Sequence, residues 1–277
     1  MKNPATLSEL RNHLCQVAEK RWLWSLYLAA IALFVAVGAA FSQQLWVGGT
    51  AGLVGVILPL AVAWLRETAS GELLQCDKCR RLILYADGLG HDIPASQLLG
   101  VRAWGLGASL GPAPFTPPYY ASKLPVGPRR LADIITESAF FTRALAGKVQ
   151  FVLWIVVGVG VVAAVSALLL SDFAKGSSSD SVLAVAKSIG LFVAFLISGD
   201  TALLAKKYGD LERAAHLTFD RCARLRDEAA PSSEDVRAVA EDYGVALLQC
   251  PPIPSRLYLL YRDSLNDLYR DSHDWVA

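Results

Sequence analysis

Apolar positions along the chain fall into two regimes. In four stretches, 22–41, 46–65, 149–170 and 182–204, they run on without a polar face. Each stretch is near the ~20 residues that an α-helix needs to cross a hydrocarbon core. The first three contain no Asp, Glu, Lys or Arg, whereas the fourth holds Lys187 and Asp200. Elsewhere apolar residues recur at spacings of three and four, the mark of an amphipathic helix, and no segment alternates cleanly with period two. The pattern predicts an all-α fold: four transmembrane helices, cytoplasmic helical extensions and an ordered Pro/Gly-rich loop.

Local signals place the helix ends. Thr6 and Glu9 form a T-x-x-E capping box, followed by Leu10, Leu14 and Val17 on one face. Pro59 sits inside the second stretch, where a kink is expected. Helical spacing then continues until Asp87-Gly88 breaks it. Residues 91–127 hold six prolines, with a short helix expected over 95–104, and the aromatic Phe115, Tyr119 and Tyr120 argue that this loop is packed. Gly127-Pro128 reads as a helix entry, because Pro is pre-organised for the first helical position. That helix runs without a breaker into the third stretch. Pro231-Ser232 starts another, and the "PPIP" of 251–254 resets the chain for a last one, with Leu257, Leu260, Tyr261 and Leu268 on one face. The resulting division is a cytoplasmic helix over 1–21, transmembrane helices over 22–65, a cytoplasmic helix-and-loop region over 66–148, transmembrane helices over 149–205, and cytoplasmic helices over 206–277.

Composition agrees with the two regimes. Of 277 residues 54% are hydrophobic and 18% charged, with a mean hydropathy of +0.39; a soluble domain is nearer 45–50% and about 25%. Trp22, Trp24, Trp46, Trp64 and Trp154 lie at or near the ends of the apolar stretches, as an interfacial belt places them. The first apolar run is too long for a signal-peptide core, so the N-terminus is expected to be retained. Four Lys or Arg precede residue 22, ten lie in 66–148 and ten from 206 onward, whereas the link after the first stretch has none. The positive-inside rule then puts both termini and the middle region in the cytoplasm. All five cysteines fall on that side, where a disulfide framework is not expected. "CDKC" (Cys76, Cys79) has zinc or redox spacing but lacks a second ligand pair, so no metal is expected.

Two places carry candidate chemistry. Arg129 and Arg130 open a helix, just after Tyr119 and Tyr120 and before Asp133 and Glu137. One reading makes the arginines partners of those carboxylates. The other makes them an anion site, since free N–H groups at a helix start and guanidinium forks both attract phosphate, with the tyrosines stacking on a base. Lys187 and Asp200 are the only charges in a span. A buried carboxylate there faces water or a bundle interior, so the two either line a path or anchor the helix ends. Catalytic signatures are missing: there is no phosphate loop, no G-x-S-x-G and no H-E-x-x-H, and the histidines are scattered. No enzyme and no cofactor are expected.

The blocks "YYASKLP" and "RRLADIITESAFFTRALA" between the second and third spans, with "RRLILYADGLG" and "CPPIPSRLYLLYR", resemble the SMODS-associating four-transmembrane effector family. The resemblance implies a bacterial antiphage effector at the inner membrane. It would be activated by a cyclic di- or oligonucleotide from an operon-encoded nucleotidyltransferase and would disrupt the membrane as a homo-oligomer, with no nucleic-acid polymer as partner. The arginine pair, helix start and aromatic pair, read on their own chemistry, make Tyr119, Tyr120, Arg129, Arg130 and Glu137 the expected ligand residues. The rival is a non-conducting receptor or scaffold whose cytoplasmic helices bind a partner protein.

Overall fold

The structure, a computed structural model, describes residues 6–41, 45–104, 120, 122–173 and 201–274. Its elements are α1 Leu7–Phe41, α2 Leu45–Leu89, α3 Ala95–Trp104, α4 Pro128–Phe173, α5 Thr201–Asp227, α6 Ser233–Gln249 and α7 Ser255–Asp274. No strand occurs among the described residues. Parts of two helices, Gly52–Leu89 and Pro128–Val162, are long and apolar enough to cross a membrane. The first apolar stretch lies within α1. The fourth falls almost entirely outside the described residues, together with Lys187 and Asp200.

Helix ends form where short-range chemistry asks for them. The Thr6–Glu9 box is reciprocal: the Glu9 N–H donates to Thr6 Oγ1 at 3.2 Å, and the Thr6 N–H to Glu9 Oε2 at 3.3 Å. Ser232 caps α6 by accepting from the N–H groups of Glu234 and Asp235. Gly127 stands before Pro128 with φ 151°, a value open to glycine, and its N–H reaches the Gly88 carbonyl at 2.8 Å. One expected stop moves. α2 passes Asp87-Gly88 and ends at Leu89, because Gly90, at φ 70°, makes the left-handed turn. Gly88 is small for another reason: a Cβ there would lie 2.9 Å from Leu131 Cδ1 and 3.1 Å from its Cα.

The chain divides into two compact units. One comprises Met1–Lys20, Ala69–Gly147 and Gly209–Ala277, the other Arg21–Thr68 and Lys148–Tyr208. The first unit has two cores. Leu131, Ile134, Ile135 and Ala139 of α4 meet Leu84 of α2, Ala215 and Cys222 of α5, and Val236, Val239 and Tyr243 of α6. Leu7, Leu10 and Leu14 of α1 meet Cys76, Cys79 and Ile83 of α2 and Val101 of α3. Tyr120 packs against both cores; residues 105–119 and 121 of the Pro/Gly-rich loop, with Phe115 and Tyr119, lie outside the described residues. A correction concerns the cysteines. Cys15 and Cys76 form a disulfide, because the packing of α1 on α2 brings together two positions 61 apart in sequence. In the second unit, large apolar side chains such as Tyr27, Phe34, Leu53, Leu60, Phe151 and Val159 are exposed.

Candidate functional site

The two arginines at the start of α4 diverge. Arg130 is buried and makes four hydrogen bonds: Nε to the Asp87 carbonyl (2.9 Å), Nη1 to the Ser122 and Leu124 carbonyls (2.9 Å each), and Nη2 to Asp87 Oδ1 (2.7 Å). A guanidinium has five N–H donors, so one at most is left for a ligand. Asp87 accepts the Tyr120 N–H on its other oxygen at 3.2 Å. Arg129 turns to the end of α5, donating to the Glu228 carbonyl at 2.6 Å and the Ala229 carbonyl at 3.0 Å, where a cation suits the negative helix end. Two helix clasps thus stand where an anion fork was expected. Asp87 lies 43 residues from Arg130 and Glu228 lies 99 from Arg129, beyond the reach of a local reading.

The other expected residues scatter too. Asp133 pairs with Arg226 at 3.6 Å rather than with its neighbours Arg129 and Arg130. Glu137 is half-buried, about 10 Å along the helix from Arg130 at 1.5 Å per residue. Burial, and secondarily the Asp133 and Glu137 charges, holds the Tyr269 hydroxyl in its protonated form by raising its pKa. Tyr119, Lys187 and Asp200 lie outside the described residues.

A different set of side chains does converge. Two hollows of about 640 and 480 Å³ share Leu82, Tyr85 and Gln97 along α2 and α3. Lys78 and Arg81 line one, and His91, Asp92, Arg237 and Glu241 line the other. Three lasting cations therefore face two carboxylates. Arg81 donates from Nε to Asp77 Oδ2 at 2.6 Å and pairs through Nη1 with Glu241 of α6. The Tyr85 hydroxyl donates to the other Glu241 oxygen at 2.5 Å. The Arg237 guanidinium carbon lies 5.8 Å from the Tyr85 ring centre, and its Nη2 is 2.9 Å from His91 Nε2. Burial raises the pKa of the Tyr85 hydroxyl, against the pull of the nearby arginines, so it remains a donor.

No family model, curated protein or solved structure matches the chain.

Removing one partner of a buried pair such as Arg130–Asp87 strands a charge and costs about 3–5 kcal/mol. The Arg81–Glu241 pair is partly open, with side chains 27% and 44% exposed, and pairs in water are worth about 0.2–1 kcal/mol. A ligand anion can exchange for Glu241 at small cost and cannot do so for Asp87. A guanidinium fork, a mobile ammonium and a tyrosine ring in one hollow suit a phosphate joined to a flat base. Lys78, Arg81 and Tyr85 are absent from the residues expected on sequence grounds, although their spacing of three and four marks one helix face. An arginine pair at a helix start is the louder signal.

Proposed function

We propose that the protein is a membrane effector in which an anionic nucleotide messenger, bound in the α2–α6 cleft, opens a path through the bilayer. The carrying observation is that Lys78, Arg81 and Tyr85 stand on α2, whose unbroken course from Leu45 to Leu89 also contains an apolar stretch of membrane-crossing length. A ligand can shift the equilibrium of such a helix only by binding its two states differently, and replacing Glu241 as the partner of Arg81 supplies such a difference. Four spans, both termini in the cytoplasm and assembly of several copies in a bacterial inner membrane complete the reading. Lys/Arg asymmetry supports the orientation. The resemblance of the "ESAFFT" region to antiphage effectors supports the messenger class. Exposed Leu259, Leu260 and Leu268 on α7 favour a second reading, a scaffold that binds a partner protein without conducting.

Dye release from vesicles of phosphatidylethanolamine and phosphatidylglycerol tests both. A panel of cyclic di- and trinucleotides is added to the reconstituted full-length protein. One member is expected to release dye, and the double variant Lys78→Ala/Arg237→Ala to lose that response while still inserting. Binding without release supports the scaffold. Release undiminished in the double variant removes the cleft from the mechanism.

A further inference from the structure

A third cavity, of about 440 Å³, is lined by Cys15 and Cys76 together with Arg11, Glu19, Asp77 and Arg80. The disulfide thus forms part of a cavity wall rather than lying sealed in a core. Its two residues differ in exposure, Cys15 being half-buried and Cys76 nearly fully buried. Cys79, one turn further along α2, lies in the apolar core beside Leu7 and Ile83. Burial pushes its thiol up to about 12, which keeps it protonated and out of exchange chemistry. Disulfides in a reducing cytoplasm are transient and redox-sensing, whereas structural ones belong to oxidising compartments. The ten Lys and Arg of 66–148 favour the inner side for this unit.

We propose that Cys15 and Cys76 form a reversible thiol–disulfide site, closed by a peroxide and opened by a cytoplasmic dithiol. The inference rests on the inside orientation given under Proposed function and is independent of the nucleotide. In closing, the Cys15 thiolate attacks one peroxide oxygen, breaking the O–O bond to give a sulfenic acid and, with a proton, water. The Cys76 sulfur then attacks the Cys15 sulfur and displaces a second water, so two thiols lose two electrons and hydrogen peroxide gains them. In opening, one thiolate of the dithiol attacks Cys15 to form a mixed disulfide and releases Cys76. Its second thiol displaces Cys15, leaving the reductant as a cyclic disulfide. Arg80 in the same wall is held by Asp77 at 2.7 Å, so it is the Arg11 guanidinium that favours the thiolates that both directions require. Oxidation ties the N-terminal part of α1 to α2 four residues before Arg80 and five before Arg81, so oxidant tone acts on the helix that carries the cleft.

The test counts maleimide labels on the wild-type, full-length chain from cells quenched in acid and then denatured. Resting cells are expected to give five labels per chain and peroxide-treated cells three, reverting to five on recovery. Cys15→Ser must hold at four throughout. Five labels before and after peroxide overturn the site, as do three labels in resting cells. In the latter case a membrane-impermeant maleimide applied to intact cells carrying Lys78→Cys separates the causes. Labelling from outside shows that the orientation has failed; protection with a standing disulfide shows a permanent staple on the inner side, and only the switch is lost.

Discussion

The two halves of α4 are alike in helical geometry and opposite in where their apolar side chains go. In the first half Leu131, Ala132, Ile134, Ile135 and Ala139 are at most 1% exposed, while Arg129, Asp133 and Glu137 lie outside that buried stripe. In the second half Phe151, Val152, Trp154, Ile155, Val156 and Val159 are all at least 48% exposed, with no polar side to turn outward. The first half satisfies the hydrophobic effect inside the protein, and the second requires an apolar surrounding. One helix thus carries two kinds of surface, and its apolar part is long enough to cross a membrane. The comparison shows that apolar content alone says little about packing, whereas its angular distribution separates the turns that pack inside the protein from those that are apolar all round.

Four substitutions sharpen that contrast. The largest effect is expected from Arg130→Ala. It leaves Asp87 buried without its cation and should cost about 3–5 kcal/mol, read as a loss of thermal stability and increased proteolysis within 69–147, with membrane insertion retained. Cleavage and melting like wild type would show that the clasp contributes little. Next comes a pair, Ile135→Ala against Ile155→Ala. The first opens a cavity in a core where Ile135 is 1% exposed and should cost about 2–5 kcal/mol. The second, at a site 49% exposed, should change unfolding in detergent by less than about 1 kcal/mol, because no cavity forms. Equal losses at the two sites would abolish the distinction between the halves. Between the two members of that pair falls Gly88→Ala, whose methyl group would press on the Leu131 backbone and cost about 1–3 kcal/mol by forcing α2 and α4 apart. A melting temperature that does not fall would mean the two helices separate without penalty.

Signals that reach three or four residues are legible in the sequence. The Thr6–Glu9 box, the Ser232 cap, the Gly127-Pro128 entry, the bounds of α3 and the uninterrupted length of α2 follow from them. Each depends on backbone hydrogen bonding within one turn or on the periodicity of one face, and the chain encodes these without reference to the rest of the fold. Partners are a different matter. Asp87 for Arg130, Glu228 for Arg129, Glu241 for Arg81 and Cys76 for Cys15 are separated by 43, 99, 160 and 61 residues. In each case several residues of the right chemistry are present. Arg130 has Asp133 and Glu137 near at hand, yet its guanidinium goes to a carboxylate that α2 delivers when Gly88 lets the two helices close on Leu131. Sequence thus determined which segments are helical and which turns are apolar all round, because those properties are local. Only tertiary packing decided which charges meet, which thiols join and where a cleft remains open, since a side chain's partner depends on which helix faces it.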